Sequence, residues 1–261
     1  MIERLPPLPV EKPEWGSTKL EPWFPNSPVK IGEVWFEGPP GSPLLIKFLF
    51  TTAALSVQVH PQDDYAAQYH QSRGKTEMWH ILAADPGAKI AAGFWEPVTP
   101  EHMRAAAESG EIEQLLTWYE ARPGDTFFIP AGTVHAIGGG LTLCEIQQMS
   151  DITYRLYDYG RPRELHLDHG VCVSDLGPRD VRIAAREGRL VECPYFTTEK
   201  YFIAGRKVIP ALDRDQNLIV LQGAAEILGR PIRAGEVFRI PAGDPPTDIA
   251  GHAAILRTWA P

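Results

Sequence analysis

Cysteine is scarce in this chain. Cys144, Cys172 and Cys193 are the only three, an odd number without metal-type spacing, which argues against a disulfide framework. Positive charge is short as well: 25 Lys and Arg stand against 33 Asp and Glu, a formal net charge of −8. A surface of that sign is unsuited to nucleic acid or to an anionic membrane. One phosphorylated small molecule is still admissible, because roughly two or three well-placed cations can hold a phosphate locally. No apolar run approaches the roughly 18 residues of a membrane helix. The proline-rich start MIERLPPLPVEKPEW lacks the apolar core of a signal peptide. A cytoplasmic location is therefore the default expectation.

Helical periodicity is nearly absent too. It is confined to about 100–120, where Thr99 can cap a helix with Pro100 at its first position. Met103, Ala106 and Ala107 repeat at helical spacing, Ser109-Gly110 interrupts, and Ile112, Leu115, Leu116 and Tyr119 resume. Two short helices are expected. The rest reads as β structure. Residues 1–14 carry four prolines and read as an extended arm. EGPPGSP, between Phe36 and Leu44, is a tight turn by composition. The run 43–60 reads as two strands parted near Thr51-Thr52. Residues 61–75 read as a loop that starts with a helical turn. Gly74 to Ala84 and Ala88 to Glu96 read as further strands, and LHLDHGVCV (165–173) as a strand or crossover.

The segment around which the chemistry gathers is Gly124 to Arg161. It opens with G-x5-P-x-G-x2-H, running Gly124, Pro130, Gly132, His135. A short apolar strand, Thr126 to Ile129, lies between two turns, and the second turn aims His135 from the start of the next strand. Upstream, LSVQVHPQDD places Gln58 and His60 two apart, on one face of a strand, with Leu55, Val57 and Val59 on the other. In GKTEMWHIL, Glu77 begins another apolar strand, and His80 falls on the opposite face. Gln58, His60, Glu77 and His135 make a mixed N/O set suited to one borderline divalent ion such as Zn2+. The competing reading is four unrelated polar residues on barrel strands. His70, His102, His166, His169 and His252 read as packing or surface residues.

These stretches resemble the paired motifs of the cupin superfamily, with the usual first histidine replaced by Gln58. More narrowly, LSVQVHPQDDYA, GKTEMWHIL, IPAGTVHAI and SDITYRLYDYGR resemble the type I mannose-6-phosphate isomerases, especially the short bacterial kind. The resemblance runs from about Trp15 to Arg161, includes Gly32, Glu33 and Trp35, and weakens beyond Leu165. It implies a mainly β chain: a double-stranded β-helix (cupin jelly roll) with a short helical insert. The family's insertion between Phe36 and Leu44 is missing, which implies a more open pocket. Residues 1–165 are expected to form the metal-binding cupin, with 166–261 as a second, degenerate one. There Gly235-x5-Pro241-x-Gly243 repeats the spacing of Gly124-x5-Pro130-x-Gly132, but Pro246 stands where His135 would be. Its expected role is packing and dimerisation, without a metal.

The resemblance also implies an activity, the interconversion of mannose 6-phosphate and fructose 6-phosphate through a cis-enediol, and roles for residues. Arg155 aligns with the family's active-site arginine, and its alternative is a surface salt bridge. Lys75 matches the lysine of the family's K-x-E motif. Asp151 matches an acid proposed for proton transfer, against a turn-capping role in SDIT. Glu145 matches another acidic position and shares a face with Gln147. Arg161 and Arg163 are phosphate candidates. Two further readings stay open: an Fe(II) cupin dioxygenase, and a sugar-binding or regulatory cupin without turnover.

Overall fold

The computed structural model describes residues 1–184 and 186–261. The chain begins with two short strands, β1 (Glu3–Arg4) and β2 (Leu8–Glu11). The expected arm thus becomes edge strands, positions at which prolines are tolerated. Then come β3 (Ile31–Glu37), β4 (Leu44–Thr51), β5 (Val57–Val59), α1 (Asp63–His70), β6 (Glu77–Ala84) and β7 (Lys89–Phe94). The helical insert is α2 (Pro100–Ser109), whose Thr99 side chain accepts from the His102 amide, followed by α3 (Ile112–Leu115). After them run β8 (Leu116–Glu120), β9 (Thr126–Ile129), β10 (His135–Ile137), β11 (Leu141–Gln148), β12 (Tyr154–Tyr157), α4 (Leu167–Val173) and β13 (Arg182–Ile183). The remainder is β14 (Gly188–Glu192), β15 (Thr197–Ile209), β16 (Gln216–Ile227), β17 (Arg230–Arg233), β18 (Val237–Ile240) and β19 (Thr247–Trp259).

Two expectations fail locally. The helical stripe through Leu116 and Tyr119 stops at Leu115, and residues 116–120 pair with β7 as an edge strand. Thr117, Trp118 and Tyr119 are β-branched or aromatic, and pairing outweighs the 3.6-residue pattern. LHLDHGVCV contains a helix, α4, because Leu167, Val171 and Val173 pack on Tyr154 and Leu156. Tertiary burial overrides a weak local propensity there.

β12-β5-β10-β7-β8 and β13-β9-β6-β11-β4-β3-β2 are the two sheets of the first barrel. Pairing of β13 with β9 keeps the chain on that barrel as far as Ile183, beyond the expected limit at 165. The second unit is one seven-stranded sheet, β1-β18-β16-β19-β15-β14 with β17 on β16, and β1 brings the N-terminus into it. This sheet wraps its own core. On β16, Leu218 and Val220 share one cluster with Ala225 and Ile227. The change from even to odd positions is made by a register shift between Val220 and Gln222, since one extra residue turns the strand over.

The two units pack sheet against sheet. Leu44, Ile46, Phe48 and Phe50 on the outer face of β4 join Met78 and Ile146, and across the interface Leu190, Phe196, Ile219, Val237 and Leu256. The inner face of β4 points into the barrel. Both faces are covered, so β4 is buried along its whole length and is apolar except for Lys47 and Thr51.

The repeat seen in the sequence is a repeat of hydrogen bonds. Gly124 donates to Ile81 and Ile81 to Asp125, as Gly235 donates to Val220 and Val220 to Glu236. Both glycines have positive φ, 94° and 86°. A Cβ on Gly124 would meet nothing within 4 Å, whereas one on Gly235 would lie 2.3 Å from the Trp23 carbonyl oxygen. Gly124→Ala is expected to cost about 1–2 kcal/mol, the left-handed backbone alone. Gly235→Ala adds roughly 1–3 kcal/mol for displaced backbone. Urea midpoints of the two variants check the order, and equal midpoints would contradict it.

Candidate metal centre and active-site cavity

Strand register assembles the site. His135 lies opposite Gln58 in the β10–β5 ladder, and Arg155 lies opposite Gln58 in the β12–β5 ladder. Directly opposed residues share a face, so one sheet presents Gln58, His135 and Arg155 in a row. The other sheet presents Trp35, Lys47, Glu145 and Trp79 in a second row across β3, β4, β11 and β6, with Glu77 beside it opposite Gln147.

Ligand atoms of His60, Glu77 and His135 all lie within 4.8 Å of one another, and all three residues are buried. Glu77 Oε2 is 3.7 Å from His60 Nε2, and Glu77 Oε1 is 3.5 Å from His135 Nε2. Each ring is held from behind. His60 Nδ1 lies 2.8 Å from the Ile152 carbonyl oxygen and His135 Nδ1 2.8 Å from that of Thr133. A carbonyl only accepts, so Nδ1 carries the proton and Nε2 offers its lone pair inward. Burial first, and then the Lys75 charge, hold His60 well below its ordinary pKa. Burial pushes His135 down to about 4. Two neutral imidazoles and a carboxylate fit a divalent ion. Gln58 Nε2 is 3.3 Å from His135 Nε2 and its Oε1 accepts from Ser56 Oγ at 3.0 Å. Half a turn of the amide exchanges N and O and turns the oxygen to the cluster.

Charge is crowded here. Lys75 Nζ lies 2.6 Å from Glu77 Oε2 and 3.0 Å from His60 Nε2. Burial lowers the Lys75 pKa, but Glu77 and Glu145 raise it more, and the net shift is upward. Burial, and repulsion from Glu145, push the Glu77 carboxyl up to about 7 against the pull of Lys75. Glu145 goes the other way: burial would raise it, but Lys75 and Lys47 hold it down. Its oxygens face Lys47 at 3.4 Å and Trp79 Nε1 at 3.0 Å.

A cavity of about 320 Å³ opens beside this cluster. Gln58, Lys75, Glu77, Glu145, Asp151 and Arg155 all line it, so the expected residues come together. Asp151 sits exposed at the rim, and among the described residues its carboxylate has no hydrogen-bonding partner, unlike a turn cap. Arg155 donates to the Glu164 carbonyl at 2.7 Å, while its Nε is buried without a partner. Among the described residues it is in no salt bridge. Arg161 and Arg163 diverge. Arg163 lines the cavity and is held by both oxygens of Asp158, at 2.6 and 2.7 Å. Arg161 is absorbed by Asp158 and the Ala54 carbonyl, outside the lining.

Sequence reasoning missed Lys12, Trp15, Glu33, Trp35 and Lys47 on the cavity wall. Lys47 had a signal: it is the only charge in LLIKFLFT, a strand buried throughout. His80 is on the outer face of β6, bonded to Thr126, and His70 and His169 bond to Tyr154 and Tyr65. None joins the metal cluster.

The second unit carries the same positions with other residues. Gln216 stands four before Val220 as Glu77 stands four before Ile81, and Arg257 and Glu199 hold the register positions of Glu145 and Lys47. Arg257 donates to Gln216 Oε1 at 2.6 Å and lies 3.3 Å from Glu199. The lysine–glutamate pair of the first barrel is thus a glutamate–arginine pair in the second.

Two imidazoles and a carboxylate converging inside a β-helix barrel define a cupin with a metal-type centre. No family model matches the chain. Curated proteins do. It is 40% identical over 176 residues to mannose-6-phosphate isomerase of Streptococcus mutans, an alignment covering 62% of this chain and 55% of that one. It is 37% identical over 233 residues to mannose-6-phosphate isomerase ManA of Bacillus subtilis, covering 82% and 74%. The crystal structure of the Bacillus subtilis mannose 6-phosphate isomerase superposes with a TM-score of 0.86 at 29% identity, over 98% of both chains. The chain belongs to the mannose-6-phosphate isomerase family of enzymes. It spans about half the length of the Streptococcus mutans relative. No described helix is long and apolar enough to cross a membrane.

Because the Glu77 carboxyl is pushed up to about 7, its proton competes with a bound cation, and metal affinity is expected to rise with pH and level off above that value. The same shift works against the metal-free fold. A carboxyl whose folded pKa is raised contributes stability below its unfolded pKa and loses it as pH rises through the folded one. Chelator competition and thermal melts from about pH 5.5 to about 8.5 test both trends. Pure pH-independence would contradict them. Glu77→Gln is expected to weaken metal binding by more than the ~10–100-fold of an outer-shell change.

Proposed function

We propose that this chain is a zinc-dependent aldose–ketose isomerase that interconverts mannose 6-phosphate and fructose 6-phosphate. The observation that carries the reading is the convergence of the His60–Glu77–His135 cluster with Lys75, Asp151 and Arg155 on one cavity. Five basic side chains (Lys12, Lys47, Lys75, Arg155, Arg163) and four acidic ones (Glu33, Glu77, Glu145, Asp151) line that cavity. The lining is thus already positive by one in an otherwise acidic protein, and a divalent ion would add to that, which suits a sugar phosphate.

His60, Glu77, His135 and Gln58 would hold the zinc, which supplies Lewis acidity next to the sugar oxygens. The rest is done by the chain. A proton must move between C1 and C2 of the open-chain sugar, leaving a cis-enediol whose oxygens carry developing negative charge. Arg155, with a buried and unpartnered Nε, is the fixed cation for those oxygens. Asp151, with a free carboxylate at the rim, carries the proton between the carbons. Lys75, kept protonated by Glu77 and Glu145, donates to a sugar oxygen. Glu145 positions Lys75 through charge and is fixed by Lys47 and Trp79. Arg163, clamped by Asp158, faces the phosphate, whose grip supplies positioning energy far from the reacting carbons. The second unit buttresses the barrel wall and takes no part in turnover.

Chelated protein is expected to lose turnover of mannose 6-phosphate and to recover it with zinc. Arg155→Ala is expected to lower kcat/KM by about 100-fold or more, the scale for removing one charge-stabilising donor. Inactivity of folded, zinc-loaded protein would sink this reading. Recovery with Fe(II) and not with zinc, together with oxygen consumption, would favour dioxygenase chemistry instead.

A further inference from the structure

A second and larger cavity, about 620 Å³, lies where the two units meet. Its walls come from β6 and the Pro123-Gly124 turn on one side, and from β15, β16 and β19 on the other, with Trp23 alongside. It is separate from the metal cluster, because His80, which lines it, lies on the opposite face of β6 from Glu77.

The feature that singles it out is Lys200. This β15 side chain is only 9% exposed. Its Nζ lies 3.0 Å from His80 Nε2 and 5.0 Å from the centroid of the Phe202 ring. An ammonium only donates, so His80 Nε2 accepts. His80 Nδ1 therefore carries the proton and donates to Thr126 Oγ1 at 2.8 Å. Burial first, then the Lys200 charge, push His80 down to about 3, so the ring is neutral. Among the described residues no carboxylate pairs with Lys200. Lys75 in the other cavity is as deeply buried, yet has Glu77 at 2.6 Å.

An ammonium withdrawn from water without a counter-ion is costly. Here it points into a space large enough for a small organic molecule, of the kind often formed between domains. Around it the walls are apolar: Trp23, Ile81, Leu82, Phe202, Leu221 and Ala254. Arg233, exposed at the rim, brings a second cation to the lining, its Nε 3.9 Å from Glu236 Oε1.

We infer that this inter-barrel cavity is a second ligand site, for a small organic anion with a carboxylate or phosphate monoester on an apolar body. The charged end meets Lys200, and the body lies among Phe202, Trp23 and Leu221. Nothing in this assignment depends on the identity of the metal or of the substrate in the first barrel.

Isothermal titration calorimetry on the metal-loaded full chain tests it with three probes: phenyl phosphate, benzoate and inorganic phosphate. Saturable binding of phenyl phosphate or benzoate is expected, and whichever binds more tightly identifies the head group. Inorganic phosphate, lacking an apolar body, is expected to bind more weakly. Arg155→Ala, altered only in the first cavity, keeps the binding. Lys200→Met, which retains the apolar stem, weakens it at least ~10-fold, or about 1.4 kcal/mol. Ala254→Trp fills the cavity, leaves Lys200 in place and also weakens it, so the question is answered even if Lys200→Met misfolds. Absence of saturable binding by both aryl anions overturns the inference. So does binding that is unchanged in Ala254→Trp, binding lost in Arg155→Ala, or inorganic phosphate binding as tightly as the aryl anions.

Discussion

A charge placed inside a β-barrel has to be matched there, because little water reaches it. The first barrel holds Lys47, Lys75, Glu77 and Glu145, all buried. They form a chain of opposite signs: Lys47 against Glu145, Glu145 within 3.9 Å of Lys75, and Lys75 against Glu77. Removing one member would leave its neighbour buried and unpaired, a loss of roughly 3–5 kcal/mol. The strands that carry these groups are therefore locked in register, and the histidines that face them across the barrel are held with their Nε2 atoms turned to one point. Trp79 joins the two sheets at this place, donating to Glu145 and packing edge-on to His135.

The second unit meets the same constraint with other residues. Gln216, Arg257 and Glu199 occupy the positions of Glu77, Glu145 and Lys47, with the charges of the pair exchanged. Arg257 there is a buried cation satisfied by Gln216, Glu199 and the Pro210 carbonyl. This unit also packs against the first barrel. Its sheet covers the outer face of β4 and β11, which frees the inner face to carry polar groups. The cost of Lys47 in an apolar strand is offset by a partner sheet on one side and Glu145 on the other. The same arrangement leaves Lys200 at the seam with a neutral imidazole and an aromatic ring as its neighbours.

Much of the candidate site could be read along the chain. The two-residue spacing of Gln58 and His60 fixes a shared face because strand side chains alternate. The turn G-x5-P-x-G-x2-H fixes where His135 starts. The resemblance added Lys75, Asp151, Glu145 and Arg155, and the cavity gathers all four. Less was legible where a pattern fits two structures. Leu116 and Tyr119 extend a helical stripe, yet Thr117, Trp118 and Tyr119 are strand formers, and only pairing with β7 decided. LHLDHGVCV has no strong preference, and packing on Tyr154 and Leu156 made it a helix.

Local spacing and turn chemistry by themselves pointed to Gln58, His60, Glu77 and His135 as neighbours and to the helical insert at Thr99-Pro100. These act over a few residues, where backbone periodicity is enough. The tertiary structure alone decided that Lys47 belongs to the site, that Arg163 faces the cavity while Arg161 is absorbed by Asp158 and Ala54, that the first barrel extends to Ile183, and that a second cavity exists at the seam. Each of those depends on groups distant in the chain being brought within a few ångströms of one another, and that distance is set by the register and docking of whole sheets, which no local pattern encodes.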